Sequence, residues 1–184
     1  IGAIAASWKP EWFQHVILNS PMIRPRTANV PWGISASVST LQCLLGKAEH
    51  YVPGQKPYEA SETFETSAST SKPRFTRFNE RRKATKEMQI CAASYSWLSN
   101  AAKMNTYLMR HAWKKYTAPM LIIQAERDDY VWTSQIQKFA DKIKKHGIAE
   151  CEYLYLSGTK HETYSSNDEM MDKYINKVFA FLEK

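Results

Sequence analysis

The stretch that most restricts what this chain can fold into is Pro119–Val131, PMLIIQAERDDYV. Met120–Ile123 is an unbroken apolar run, bounded by Pro119 and by the charged cluster Glu126–Asp129. A half-buried strand alternates apolar and polar residues. A short run without alternation is covered on both faces, as in parallel sheets flanked by helices. The carboxylates follow at once, so they fall at the strand's carboxyl end, the edge where open α/β sheets bind ligands. A second unit of the same kind follows: the strand Tyr153–Leu156, then the loop SGTKHETYSS carrying His161. An acid after one strand and a histidine after the next are two members of a Ser–His–Asp device, in which the acid orients the imidazole that takes the serine proton.

The opening, IGAIAASW, bears on the third member. In a nucleophile elbow, G-x-S-x-G, the serine sits on a tight strand-to-helix turn. Ile1-Gly2 fits the x-G after that serine, and Ala3–Ala6 fits the small-residue helix that leaves it. The nucleophile is then expected just before Ile1. The backbone N–H of Ile1 is expected to serve as one donor of the oxyanion hole, which stabilises the charge that develops on the attacked carbonyl.

These stretches, with HVILNSPMI, STSKPRF and YSWLSNA, carry a resemblance to the α/β-hydrolases. Within them the chain resembles the bacterial lysophospholipase and monoacylglycerol lipase group of serine hydrolases. LIIQAERDDYV and LSGTKHETYSS look like that group's acid and histidine stretches. The likeness covers nearly the whole chain, is sharpest around Asp128 and His161, and is looser from Arg24 to His111. The chain departs from the family in lacking the elbow serine and the oxyanion loop before it.

The resemblance implies an α/β-hydrolase fold: the C-terminal part of the parallel sheet, with a mainly helical cap. Residues 1–23 and 117–184 would belong to the core and 24–116 to the cap. Only three parallel-type strands are legible, His15–Leu18, Met120–Ile123 and Tyr153–Leu156, and the first helix has no start signal. The expectation is therefore the C-terminal portion of a longer protein, whose N-terminal half would be a structural partner. The implied activity is hydrolysis of carboxylic esters of lipid-like alcohols, a lysophospholipid or monoacylglycerol, through an acyl-enzyme. Thioester hydrolysis, carbon–carbon bond hydrolysis and acyl transfer share the fold, because fold does not fix function. From another class comes a non-catalytic binding protein on the same fold that has lost its nucleophile.

Among the carboxylates, Asp128 stands first, because Asp128 to Val131 fits the family's D-x-x-V; Asp129 follows and Glu126 is third. His161 is the expected general base and Glu162 a brace for its loop. His15 stands before its strand, at the wrong end for chemistry, and His50, His111 and His146 lack a comparable context. No metal or other cofactor is implied, since neither H-E-x-x-H nor Cys-x-x-Cys spacing occurs.

Composition sets the remaining bounds. With 184 residues, 43% of them hydrophobic, the chain can bury one domain's core. Cys43, Cys91 and Cys151 are an odd number without paired spacing, which favours a reducing compartment over a disulfide framework. No apolar run approaches the roughly 20 residues of a membrane span. The expected location is cytoplasmic or peripheral to the membrane. The net charge of +7 leans towards anionic partners, lipid head groups among them. Basic residues crowd Arg74–Lys86 beside Phe75 and Phe78, a pattern also found in single-strand binders. Flanking glutamates and the absence of a nucleic-acid motif favour a solvated helix face, with a phosphate- or membrane-facing patch as the alternative, hence peripheral membrane contact but no nucleic-acid partner.

Within 24–116, the pattern predicts a helix between Pro31 and Leu45, a polar linker over Ser61–Ser71, and helices over Gln89–Leu98 and Ala101–His111. Trp97-Leu98 and Met104–Met109 are candidates to line an acyl pocket. Downstream, Ser134 is read as the N-cap of a helix to His146 and Gly147 as its C′ residue. Asn167 or Asp168 is read as the cap of a final helix that packs through Met171, Tyr174, Ile175, Val178, Phe179 and Leu182.

Overall fold

The branched run at 120–123 forms the first half of the central strand, β2 (Met120–Arg127), between β1 (Val16–Asn19) and β3 (Cys151–Lys160). The computed structural model describes residues 1–184. Both pairings are parallel, with Val16 opposite Met120 and Ile122 opposite Tyr153. The strands are displaced or longer than the apolar residues alone indicate. β1 starts after His15, whose ring packs edge-on against Phe181 at 5.5 Å. β2 and β3 run on through polar residues because their pairing continues into the loops that carry Asp128 and His161.

Successive side chains of β2 enter two separate cores, which is why the run does not alternate. Met120 and Ile122 join α1 (Gly2–Trp8), α4 (Tyr95–Arg110) and α5 (Thr133–His146) on one face. Leu121 and Ile123 meet Leu156 and α6 (Asp168–Leu182) on the other. On the larger side Phe139 is fully buried and meets Tyr116 edge-on at 6.1 Å, while the Tyr116 hydroxyl donates to the Ala3 carbonyl at 3.0 Å. Phe139→Ala is expected to lower stability by about 3–5 kcal/mol through the cavity it leaves. The check is a lower urea midpoint with an unchanged m-value.

Several local expectations are corrected. α5 begins at Thr133 and has no side-chain cap; Ser134 lies inside it. Its start is set by the preceding backbone, where the Trp132 N–H donates to the Arg24 carbonyl at 3.0 Å. Gly147 has an extended φ of −78°, not a left-handed one. Its glycine is required by close approach, since a Cβ would sit 2.6 Å from the Ile143 oxygen. The two helices expected between Gln89 and His111 are one, α4, which begins after Ser94, whose hydroxyl accepts from the Trp97 N–H at 3.2 Å. Residues 89–93 are instead tied to the 52–56 segment, the Val52 N–H donating to the Ala93 carbonyl at 3.0 Å. On α6, Asn167 is the cap and Phe181 is the buried anchor, while Ile175, Phe179 and Leu182 are exposed.

The segment between β1 and β2 carries α2 (Trp32–Leu44), α3 (Lys72–Ala84) and α4. α2 packs on α4 through small polar residues: Ser35 and Ser39 are buried and the Thr40 and Ser99 hydroxyls share a hydrogen bond at 3.1 Å. Its apolar residues Ile34, Val38, Leu41 and Leu44 face outward. Ser61–Ser71 is not a linker in physical terms, because Ser67, Ala68, Ser69 and Ser71 are buried. The Ser69 hydroxyl donates to the Ser165 carbonyl at 2.6 Å, and the Glu162 N–H donates to the Ala68 carbonyl at 3.1 Å. Serine hydroxyls and main-chain groups pair with the histidine loop, so a polar composition is compatible with burial.

Candidate active site

At the end of β2 the chain turns sharply around Asp128, which is only 3% exposed. Its Oδ1 accepts from the backbone N–H groups of Tyr130 and Val131, both at 2.9 Å. This is the physical content of the D-x-x-V spacing: the carboxylate closes its own turn and Val131 plugs the core behind it, 2% exposed. The turn is held from the other side as well. Arg26 N–H donates to the Tyr130 carbonyl at 2.8 Å, and Pro25 and Val131 form an antiparallel bridge.

The other oxygen, Oδ2, lies 2.7 Å from Nδ1 of His161. Asp128 as a carboxylate can only accept, so the proton of this bond resides on Nδ1 and Nε2 is left as the basic nitrogen. The Tyr130 ring packs against the imidazole with centroids 5.0 Å apart and the planes tilted by 38°. Past His161, the Thr163 hydroxyl donates to the Asn19 side chain at the end of β1, so the histidine loop is tied to the first strand too.

The reach of His161 depends on an irregularity in β3. Between the pairs Ala125–Leu156 and Arg127–Lys160, β3 carries extra residues, and Gly158 adopts φ +77°. Glu126 holds this bulge: its carboxylate accepts from the Gly158 N–H and, at 3.1 Å, from the Ser157 hydroxyl. These bonds, the Gly158 N–H foremost, hold its carboxyl below the usual range. Glu126 thus has a structural task, and Asp129 is exposed. Of the candidate acids, the structure brings only Asp128 to His161. Gly158→Ala is expected to cost about 1–2 kcal/mol, because a Cβ is strained at positive φ. Chemical denaturation checks it.

Ile1 begins the first turn of α1, its carbonyl accepting from the N–H groups of Ile4 and Ala5 at 2.9 and 3.0 Å. A Cβ on Gly2 would lie 3.6 Å from Leu18, near the end of β1. The start of α1 therefore stands at the same sheet edge as Asp128 and His161. Ser20, at that edge, was not legible as special: it is buried, adopts φ +39°, and its hydroxyl has no hydrogen-bond partner. Only the preceding strand end and the following Pro21 signalled it.

Beside His161 opens a cavity of about 590 Å³. Its walls come from residues 54–62, from α3 through Phe75, Phe78 and Arg82, and from Met88 and Ile90. Arg82 is not on a solvated face as its basic run implies. It donates to Glu62 at 3.0 Å and to the Ile90 carbonyl at 3.1 Å, with its guanidinium 4.7 Å from the Tyr58 ring centre. Neither Trp97-Leu98 nor Met104–Met109 lines this space, because Leu98 and Leu108 are spent on helix packing. Glu162 is no hydrogen-bonded brace: its backbone holds the loop, while its side chain lines the cavity. Burial, and then the charge of Glu62, push its carboxyl up. No three His, Cys, Asp or Glu side chains converge in a way that could hold a metal ion, and no helix is long and apolar enough to cross a membrane.

A family model described as serine aminopeptidase, S33, matches residues 1–168. No curated protein sequence matches the chain. Among solved structures, the monoacylglycerol lipase of Paleococcus ferrophilus is similar at 10% identity and a TM-score of 0.69, over 98% of this chain and 63% of that one. A soluble variant of monoglyceride lipase from Saccharomyces cerevisiae, solved with a substrate analogue, gives 12% identity and a TM-score of 0.69, over 99% of this chain and 57% of that one. A thermostable carboxyl esterase from Bacillus coagulans, solved with glycerol, gives 14% and 0.71, over 99% and 60%. The chain thus spans about three fifths of the length of these structures. At such identities the likeness establishes the α/β-hydrolase fold alone.

Proposed function

The chain belongs to the serine aminopeptidase S33 family of α/β-hydrolases, and from that membership we propose that it supplies the acid and the base of a serine hydrolase acting on carboxylic esters of lipid-like alcohols. The observation that carries this reading is the 2.7 Å contact between Asp128 Oδ2 and His161 Nδ1, with the opposite carboxylate oxygen held by two backbone N–H groups. An acid fixed in this way holds the imidazole in one tautomer and stabilises the imidazolium. The lipase and esterase neighbours support a lipid-like ester as substrate, and the sequence resemblance is what favours a lysophospholipid or monoacylglycerol. Residues 24–116 are read as the cap over the site.

The proposed nucleophile is a serine joined to Ile1 in the complete protein, at the turn that launches α1. Its hydroxyl adds to the ester carbonyl as its proton passes to His161 Nε2, and the Ile1 N–H stabilises the resulting oxyanion. The carbon–oxygen bond to the alcohol then breaks, and the alcohol leaves with the proton from Nε2. Water repeats the sequence on the acyl-enzyme: its proton goes to Nε2 and returns to the serine as the acid departs.

The test is reaction of the complete protein with a fluorophosphonate, followed by mass spectrometry of the peptide that spans Ile1. The expected result is an adduct on the serine adjoining Ile1, together with hydrolysis of a monoacylglycerol or lysophospholipid. A different residue at that position, with no adduct, would leave the acid–histidine pair without a nucleophile and turn the reading to a binding protein on the same fold.

A further inference from the structure

The charge of the cavity beside His161 runs against that of the whole chain. The sequence carries a net +7, yet the two cations of the cavity wall are each matched there. Lys56 stands 3.9 Å from Glu59, and Arg82 pairs with Glu62 at 3.0 Å. Glu162 remains, half-buried, with its carboxylate in no hydrogen bond or ion pair, one residue from the histidine. The same cavity is lined by the rings of Phe75, Phe78 and Tyr130, and by Tyr58, whose ring already carries the Arg82 guanidinium. The Tyr58 hydroxyl is enclosed and also lacks a hydrogen-bond partner.

The proposed reaction fixes which part of a substrate meets this wall. His161 hands its proton to the leaving oxygen, so the remainder of the alcohol extends into the space that His161 adjoins. An unmatched carboxylate in a partly desolvated, aromatic-walled cavity attracts a cation by charge and by the negative faces of the rings. An anionic group there would face Glu162, while the Arg82 guanidinium is already engaged by Glu62.

Resting on the hydrolase reading above, we propose that Glu162 is a specificity-determining residue and that the cavity receives the ammonium group of an amino-alcohol ester. The structural basis is the unpaired Glu162 carboxylate, next to His161, in a cavity that Phe75, Phe78 and Tyr130 also line.

The test compares a choline ester with the 3,3-dimethylbutyl ester of the same acid, which is its uncharged isostere, using the complete protein. The choline ester is expected to be favoured about tenfold in kcat/KM, mainly through KM, the size of one partly desolvated cation contact. Glu162→Gln should bring the ratio of the two esters close to one. Tetramethylammonium chloride should inhibit hydrolysis of the neutral ester competitively, beyond sodium chloride at the same ionic strength, and this readout needs no variant. Equal use of the two esters, or a preference that survives Glu162→Gln, overturns the inference while the hydrolase reading stands. Turnover of neither ester, nor of any monoacylglycerol or lysophospholipid, overturns both.

Discussion

His161→Ala in the complete protein is expected to lower kcat for ester hydrolysis by about 10⁴–10⁶-fold, the range seen when the base of such a device is removed. The protein should remain folded. The imidazole is 29% exposed and closes no core, and Asp128 keeps its two backbone donors on Oδ1. One cost is expected, because Oδ2 lies in a side chain of zero exposure and would lose its partner. An orphaned buried acceptor costs about 1–3 kcal/mol. Thermal unfolding and steady-state kinetics on the same preparation separate the two effects. A kcat within tenfold of the parent, in a protein that melts cooperatively, would remove His161 from the chemistry.

Asp128→Asn should lower kcat nearly as far, by about 10⁴-fold at neutral pH, for a different reason. The Tyr130 and Val131 N–H groups require an acceptor, so the amide oxygen takes the place of Oδ1. The amide NH₂ then faces His161 Nδ1 where an acceptor stood. The ring must accept at Nδ1 and carry its proton on Nε2, and a protonated Nε2 cannot act as the base towards the proposed serine. Flipping the amide would set its NH₂ against two backbone donors, which is worse. Nitrogen chemical shifts of the His161 ring should report the exchanged tautomer, with the secondary structure unchanged. If Asn at this position supports near-parental turnover, the acid of the device lies elsewhere.

The parts legible in the sequence are those where one short stretch fixes its own geometry. The run at 120–123 announced a strand covered on both faces because each of its residues enters a core. Asp128 stood ahead of Asp129 and Glu126 because Asp128 to Val131 fits the family's D-x-x-V, a spacing that in the structure is a turn closing on Val131. What stayed illegible depends on distant partners. Ser61–Ser71 has a linker's composition, and partners from Lys160 to Asn167, far along the chain, make it a buried element. Arg82 lay unremarked in a basic run until Glu62 and Tyr58 closed around it. The role of Phe181 depends on its place opposite β2, which the apolar spacing of α6 alone did not single out. The outward apolar stripe of α2 misleads in the other direction, since burial there follows small size and not hydrophobicity.

The serine stretch stitched to the histidine loop limits how this protein could be recombined with a relative. Ser69 bonds to Ser165, Ala68 to Glu162, Lys160 to the carbonyls of Glu65 and Ser67, and Arg74 to the Ser166 carbonyl and Asp168. These bonds join residues that are nearly a hundred positions apart. A chimera cut at the strand ends, taking everything between β1 and β2 from another sequence, would remove the Ser69 and Arg74 side chains at once and leave Lys160 and Glu162 to find their carbonyl partners on a foreign segment. The exchangeable unit is discontinuous: residues 65–74 travel with 160–168, and a donor sequence must provide both halves of the seam.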